Sequence, residues 1–157
     1  MTTPVSRGTV QTFLQAFASR DLAKLGPCLH DDILWTIVGP VEMIRFCGER
    51  RGKAAVLDLI GRIIPAIMKF TGFDPEILLV DGDRCATLAR ISGVTPCGRV
   101  VSYRCTQFVR FQDDKVIEYR AITDTFDAAE QLLGHPLERP AEAAMPDHTL
   151  AGDLVAV

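Results

Sequence analysis

The sequence predicts an α+β fold, with helices gathered on one face of an antiparallel meander. Three observations carry this expectation. Apolar side chains in the N-terminal part recur at helical spacing, the period drops to two after Asp74-Pro75, and the strand-like runs that follow are joined by turn sequences short enough for hairpins. Helices segregated from hairpins make an α+β architecture rather than alternating βαβ units.

The first helix is expected over residues 3–19, where Val10, Phe13, Leu14 and Phe17 form a one-sided apolar stripe. Thr3 before Pro4 is its expected start, because proline at the first helical position sacrifices no needed hydrogen bond. Asp21 caps a short second helix that carries Leu22 and Leu25 inward and that Gly26-Pro27 breaks or bends. Residues 32–38 read as a strand stopped by Gly39-Pro40, and a loop rich in glycine and arginine leads to about Gly52. A third helix is expected over 53–70, with Val56, Ile60, Ile63, Ile64, Ile67 and Met68 at helical spacing and a kink at Pro65.

Strands follow at 76–80, 84–92, 100–111 and 115–123. The turns between them are Asp81-Gly82-Asp83, Thr95-Pro96-Cys97-Gly98 and Gln112-Asp113-Asp114. Asp124, with Asp127 three positions later, opens a last helix that runs to Gly134. Residues 135–157 hold three prolines and little periodicity. The chain is therefore expected to divide into one domain over 1–134 and a C-terminal arm or tail over 135–157.

The 157 residues include 17 basic and 20 acidic side chains, a net charge of −3. No basic field exists to neutralise a phosphate backbone, so nucleic acid is not an expected partner. Apolar stretches are interrupted by charge or proline well short of spanning length, so no membrane is expected either. The start, MTTPVSRGTVQTF, lacks the charged, apolar and small-residue segments of a secretory leader. Five widely spaced cysteines without a C-x-x-C pair fit reduced thiols, and the expected location is the cytoplasm. His30, His135 and His148 are too dispersed for a metal motif, and no phosphate-binding or dinucleotide-binding loop is present. Neither a metal nor a cofactor is expected.

Strand parity points to an interior site. In 100–111 the charged even positions Arg104 and Arg110 belong outside, which turns Val101, Tyr103, Cys105, Gln107, Val109 and Phe111 inward. In 115–123 the same rule sends Glu118 and Arg120 out and Ile117, Tyr119, Ala121 and Thr123 in. Two independent strands thus aim Tyr103, Gln107 and Tyr119 at an apolar helix stripe that offers few hydrogen-bond partners. Either a polar pocket lies inside or these groups satisfy one another. Arg90 is favoured outward on its strand, since an inward charge needs an acidic partner or an anionic ligand. Trp35 fits a pocket mouth or a core anchor equally well, and inward Cys105 reads more readily as a buried small hydrophobe than as a nucleophile.

Three segments carry a family resemblance: VQTFLQAFASRDLAKLGPCLHDDILWTIVGP, GERRGKAAVLDLI and YRCTQFVRFQDDKVIEYRAITDTFDAAEQL. Over about residues 5–134 the chain resembles the nuclear-transport-factor-2-like superfamily, in its SnoaL-like and ketosteroid-isomerase-like branch. The ordered set that carries the likeness is an apolar helix, a D-L-x-x-L helix, a D-D-x-x-W strand, a G-x-x-x-G-K-x-A helix start and an F-x-x-D-K-x-I-x-Y-R hairpin. The resemblance implies a curved sheet wrapped around three helices to form a cone with a deep pocket, and usually a homodimer.

The cone hosts several chemistries, so positions decide. Where the steroid isomerases carry a tyrosine, an aspartate base and an oxyanion-binding aspartic acid, this chain carries Phe13, Thr36 and Gln107. Neither Phe13 nor Thr36 supplies a base, while Gln107 keeps a hydrogen-bond donor. Arg90 stands where epoxide-hydrolase-like members place an arginine, but Ser92 and Ala121 stand where they place aspartates. Asp124 is the nearest candidate for the inward aspartate of SnoaL-type cyclases, and helix capping explains it more simply.

The expected function is binding of a small, largely apolar, oxygenated molecule by Phe13, Trp35, Thr36, Arg90, Tyr103, Cys105, Gln107 and Tyr119. Should turnover occur, an isomerase, cyclase or hydratase is expected, with Tyr119 or Tyr103 as acid, Gln107 polarising an oxygen, and the base being Asp124, a carboxylate not placed by the sequence, or the substrate itself. The alternative is a non-catalytic binder or dimeric scaffold; a third reading, protein recognition through the outer sheet face, draws on Phe108 among Arg104, Thr106 and Arg110, which more readily marks the contact between copies.

Overall fold

A computed structural model describes residues 4–138. Helix α1 spans Arg7–Ser19 and α2 spans Leu22–Cys28. The cap of α1 is Ser6, whose Oγ accepts from Thr9 N at 3.0 Å. The expected start at Thr3-Pro4 is displaced because Val5 N–H donates instead to Gly82 O at 2.9 Å, tying the chain to a hairpin turn. Asp21 caps α2, accepting from Ala23 N at 2.9 Å and Lys24 N at 3.3 Å. Pro27 lies in the last turn of α2, which ends one residue later at Cys28, so the helix forgoes only the bond that position 27 would have donated to Ala23 O. Leu25 is fully buried, whereas Leu22, expected inward, is 37% exposed.

Strand β1 covers Leu29–Val38, and the loop expected up to Gly52 contains a short strand β2, Gly48–Arg51. Its polar, four-residue sequence carries no apolar alternation, so only pairing with β1 (Leu34 against Arg51, Ile37 against Gly48) reveals it. Helix α3, Lys53–Asp58, passes through a π turn at Leu59–Ile63 into α4, Ile64–Ile67. The kink expected at Pro65 takes the form of this widened turn. Proline lacks the N–H and crowds the preceding carbonyl, and the looser turn accommodates both.

Strand β3 runs Lys69–Asp81, where a helix to 70 and a strand from 76 were expected. Pro75 sits inside it without penalty because β3 is the sheet edge, and the register slips between Pro75 and Ile77. Strands β4, Arg84–Val94, β5, Val100–Gln112, and β6, Lys115–Thr123, complete a six-stranded sheet ordered β2-β1-β6-β5-β4-β3. Only the β1–β6 pair is parallel among the described strands. Asp113 and Asp114, with φ of 51° and 59°, make the tight left-handed turn that joins β5 to β6. This is the curved, mostly antiparallel sheet around helices that the sequence predicts.

The parity argument holds along β5, where the odd positions 101 to 111 are all buried. It needs one correction on β6. The register slips between Arg110 and Phe111, so Val116 is buried rather than Ile117.

Helix α5, Thr125–Leu133, starts at Asp124, whose carboxylate accepts from Asp127 N at 3.3 Å. Pairing between β5 and β6 ends at Cys105 and Thr123, so the β5 edge continues past its neighbour. The Gln131 carboxamide completes it, with Oε1 accepting from Ser102 N at 2.7 Å and Nε2 donating to Ser102 O at 3.0 Å. The expected tail beyond Glu138 lies outside the described residues.

Candidate functional site

The inner face of the sheet and the end of α1 enclose a small chamber. Register explains its most ordered wall. Trp35 on β1 lies directly beside Tyr119 on β6 and both point inward, so their rings stack with centroids 3.5 Å apart and planes 10° from parallel. Phe17, from the last turn of α1, lies 6.1 Å from the Trp35 ring and 6.0 Å from the Tyr119 ring. Tyr103 and Cys105 come from β5, Ile37 from β1 and Met68 from the residue after α4. The cavity measures about 40 Å³, room for about three waters at 10–15 Å³ each.

The chamber's one charged lining residue among those described is Arg20. It follows α1 in a left-handed conformation with φ of 56°, and its N–H bonds back to Phe17 O. Its guanidinium lies 4.2 Å from the Phe17 ring centre and 3.7 Å from that of Phe70. Such cation–π contacts offset part of the cost of burying a charge. Nε and Nη1 are shut off from solvent and have no hydrogen-bond partner among the described residues.

Removal from water lowers the Arg20 pKa to about 10, with the nearby Tyr119, Tyr103 and Cys105 acting against the shift. The guanidinium is therefore still charged at neutral pH. The same burial pushes the Cys105 thiol up to about 12 and both phenols well above the usual tyrosine range. At neutral pH the chamber holds a positive charge facing two neutral hydroxyls and a neutral thiol.

Gln107 is fully buried, and neither atom of its carboxamide has a partner. It lies one inward position beyond Cys105, close enough for the thiol to feel the amide although hydrogen-bond geometry is not met. Thr87, its register partner on β4, also buries an unpartnered hydroxyl, and the Trp35 indole N–H is a further orphan. Buried polar groups are rarely left this way, and here several share one inner face.

The expected site residues therefore separate. Trp35, Tyr103, Cys105 and Tyr119 line the chamber, and Gln107 lies beyond the lining. Phe13 packs behind the wall, its ring 6.5 Å from that of Tyr119. Thr36 and Arg90 are corrections. Thr36 alternates to the face opposite Trp35 and Ile37. Arg90 shares the outer parity of β4, where its Nη1 donates to Ser102 Oγ at 3.5 Å. Asp124 spends its carboxylate on the α5 cap and does not border the chamber.

Arg20 is the residue that sequence reasoning missed. Between two helices, in Ser19-Arg20-Asp21, it reads as a solvated linker. The available signal was its spacing, because three residues after Phe17 it continues the apolar stripe of α1.

A family model described as a SnoaL-like domain matches residues 10–119. Among solved structures, an isomerase candidate from Rhodopseudomonas palustris is 32% identical, with a TM-score of 0.73 over 81% of this chain and 97% of that one. TerC, co-crystallized with polyporic acid, is 16% identical with a TM-score of 0.73, covering 80% of this chain and 96% of that one. An LEH-like epoxide hydrolase of M. tuberculosis is 20% identical with a TM-score of 0.65, covering 81% and 88%. The last two show likeness of fold alone. No curated protein matches the chain at a significant level.

Proposed function

The chain belongs to the SnoaL-like domain family, and on that premise we propose that its cone binds a small, largely apolar, oxygenated molecule. The observation that carries this reading is the group of buried, unpartnered polar atoms on the inner sheet face, on Trp35, Thr87 and Gln107, behind aromatic and aliphatic walls. Their desolvation is unrewarded within the described residues; a ligand oxygen in the chamber would reward it at Trp35, which lines the chamber, and one seated deeper would reward it at Thr87 and Gln107.

The test is to denature the purified protein, profile what is released by mass spectrometry, and follow thermal stability with ketones, alcohols, phenols and carboxylic acids. A retained or stabilising small molecule of this kind is the expected result. No released molecule, with no compound raising the melting temperature, would end the reading.

A second reading, proton-transfer catalysis, is favoured by the likeness to the Rhodopseudomonas palustris isomerase candidate. In it Tyr119 or Tyr103 donates a proton and Arg20 stabilises the developing oxyanion. No carboxylate or imidazole borders the chamber among the described residues, so the substrate would bring its own base.

We also place a second copy of the chain on the outer sheet face, where Leu79, Phe108 and Ile122 border an open groove of about 420 Å³ and Phe108 is 49% exposed. Sedimentation at micromolar concentration should show a dimer, and a monomer would overturn this placement. All five cysteines are free thiols, which supports a reducing compartment such as the cytoplasm. No described helix is long and apolar enough to cross a membrane.

A further inference from the structure

We propose that the ligand of the chamber is a small monocarboxylate, and that the Arg20 guanidinium is the group that recognises it. The inference rests on the chamber being a ligand site and names the chemistry it selects.

Arg20 is half-buried, but its Nε and Nη1 are shut off from water, and nitrogens of a charged group placed so need an anion or acceptors, which they lack among the described residues. Its sequence neighbour Asp21 is engaged elsewhere. One carboxylate oxygen of Asp21 accepts from Ala23 N and Lys24 N, and the other lies 3.6 Å from Lys24 Nζ. Arg20 enters no ion pair with a described carboxylate; exterior arginines such as Arg62, Arg104 and Arg110 do, and exposed ones that do not, such as Arg7 and Arg120, have water in its place.

Geometry narrows the occupant. Phe17 and Phe70 approach the guanidinium as ring faces, which leaves its N–H groups as the polar approach. Each bidentate edge of the planar guanidinium fork pairs Nη2 with Nε or with Nη1, so a carboxylate along either edge makes two parallel hydrogen bonds, one of them to a nitrogen otherwise buried without a partner. A single positive charge balances a monoanion, whereas the doubly charged form of a phosphate would bring one negative charge too many into the chamber. The neutral Tyr103 and Tyr119 hydroxyls are further donors, and the Trp35 and Ile37 walls suit a compact apolar remainder. A cavity of about 40 Å³ favours acids of only a few heavy atoms, with larger ones requiring Met68 or Phe46 to move aside.

Alternative occupants make less use of the arrangement. A neutral ketone or alcohol would leave the charge unbalanced, and water would satisfy N–H groups without doing so. Replacing Arg20 by methionine keeps a long side chain between the two phenylalanines and removes both the charge and the fork.

The experiment measures binding by calorimetry and ligand-observed NMR for acetate, isobutyrate and benzoate, for their neutral amides, and for inorganic phosphate. These are measured on the wild-type protein and on Arg20→Met and Arg20→Lys. Each carboxylate is expected to bind the wild type at least tenfold more tightly than its amide and than phosphate. Arg20→Met should bring acid and amide level, and Arg20→Lys should keep part of the preference. Equal binding of acids and amides to the wild type would overturn the carboxylate assignment and leave the chamber as a ligand site. Tighter binding of phosphate would overturn it in favour of a different anion. Binding of none of the probes would overturn the ligand site itself. Should Arg20→Met not fold, the acid-to-amide ratio of the wild type still decides.

Discussion

Trp35→Ala is expected to destabilise the protein by about 3–5 kcal/mol, the range for deleting a large buried aromatic. Trp35 is fully buried, stacks on Tyr119 and also meets Phe17, so its removal opens a hole where β1, β6 and α1 converge. The neighbours cannot close over it. Tyr119 is held by its register with β1, and Phe17 by its packing beneath Arg20. Trp35→Phe keeps a ring on Tyr119 and removes an unpartnered indole N–H, so its loss should be under about 2 kcal/mol. Urea unfolding of both variants checks this. An alanine variant within about 1 kcal/mol of wild type would mean the stacked wall is not part of the stabilising core.

Gln107→Leu is expected to raise stability by about 1–3 kcal/mol, the desolvation penalty of a buried polar group left without a partner. The two side chains are close in size, so the change removes a buried carboxamide without opening a cavity. For a domain of this length the gain corresponds to roughly 2–4 °C in melting temperature per kcal/mol. The same change should weaken any ligand whose oxygen the amide holds. A more stable protein that binds less well is the signature of a residue kept for function against the interest of the fold. Scanning calorimetry decides the point. A leucine variant less stable than wild type would show that the amide is bonded in the folded protein, and that Gln107 is structural.

Much of the fold was legible because its elements repeat a simple period. The alternation in β5 and the stripe in α1 were correct without reference to any neighbour, since side-chain direction follows from local geometry alone. Errors fell where a distant contact overrides a local preference. Val5 left the helix to bond Gly82, the π turn absorbed Pro65, and β2 exists only because β1 offers an edge.

The site divides along the same line. Tyr103, Gln107 and Tyr119 were placed inward by parity, while Trp35 was left open between pocket mouth and core anchor and is both a chamber wall and fully buried. Thr36 and Arg90 were carried over by likeness to relatives that use those positions, and alternation on their own strands turns both outward. Asp124 followed the cap pattern read for it.

By itself, the sequence determined which face of β5 and of most of β6 meets the helices, where the hairpins turn, and that polar groups would be trapped inside. Those outcomes depend on the pleat and on turn residues, which act over a few neighbours. Only the tertiary structure decided that Arg20 faces inward between Phe17 and Phe70 and that Gln107 and Thr87 face each other without partners. A charge's surroundings are set by chain segments tens of residues away, and no local rule reports whether a carboxylate will be among them.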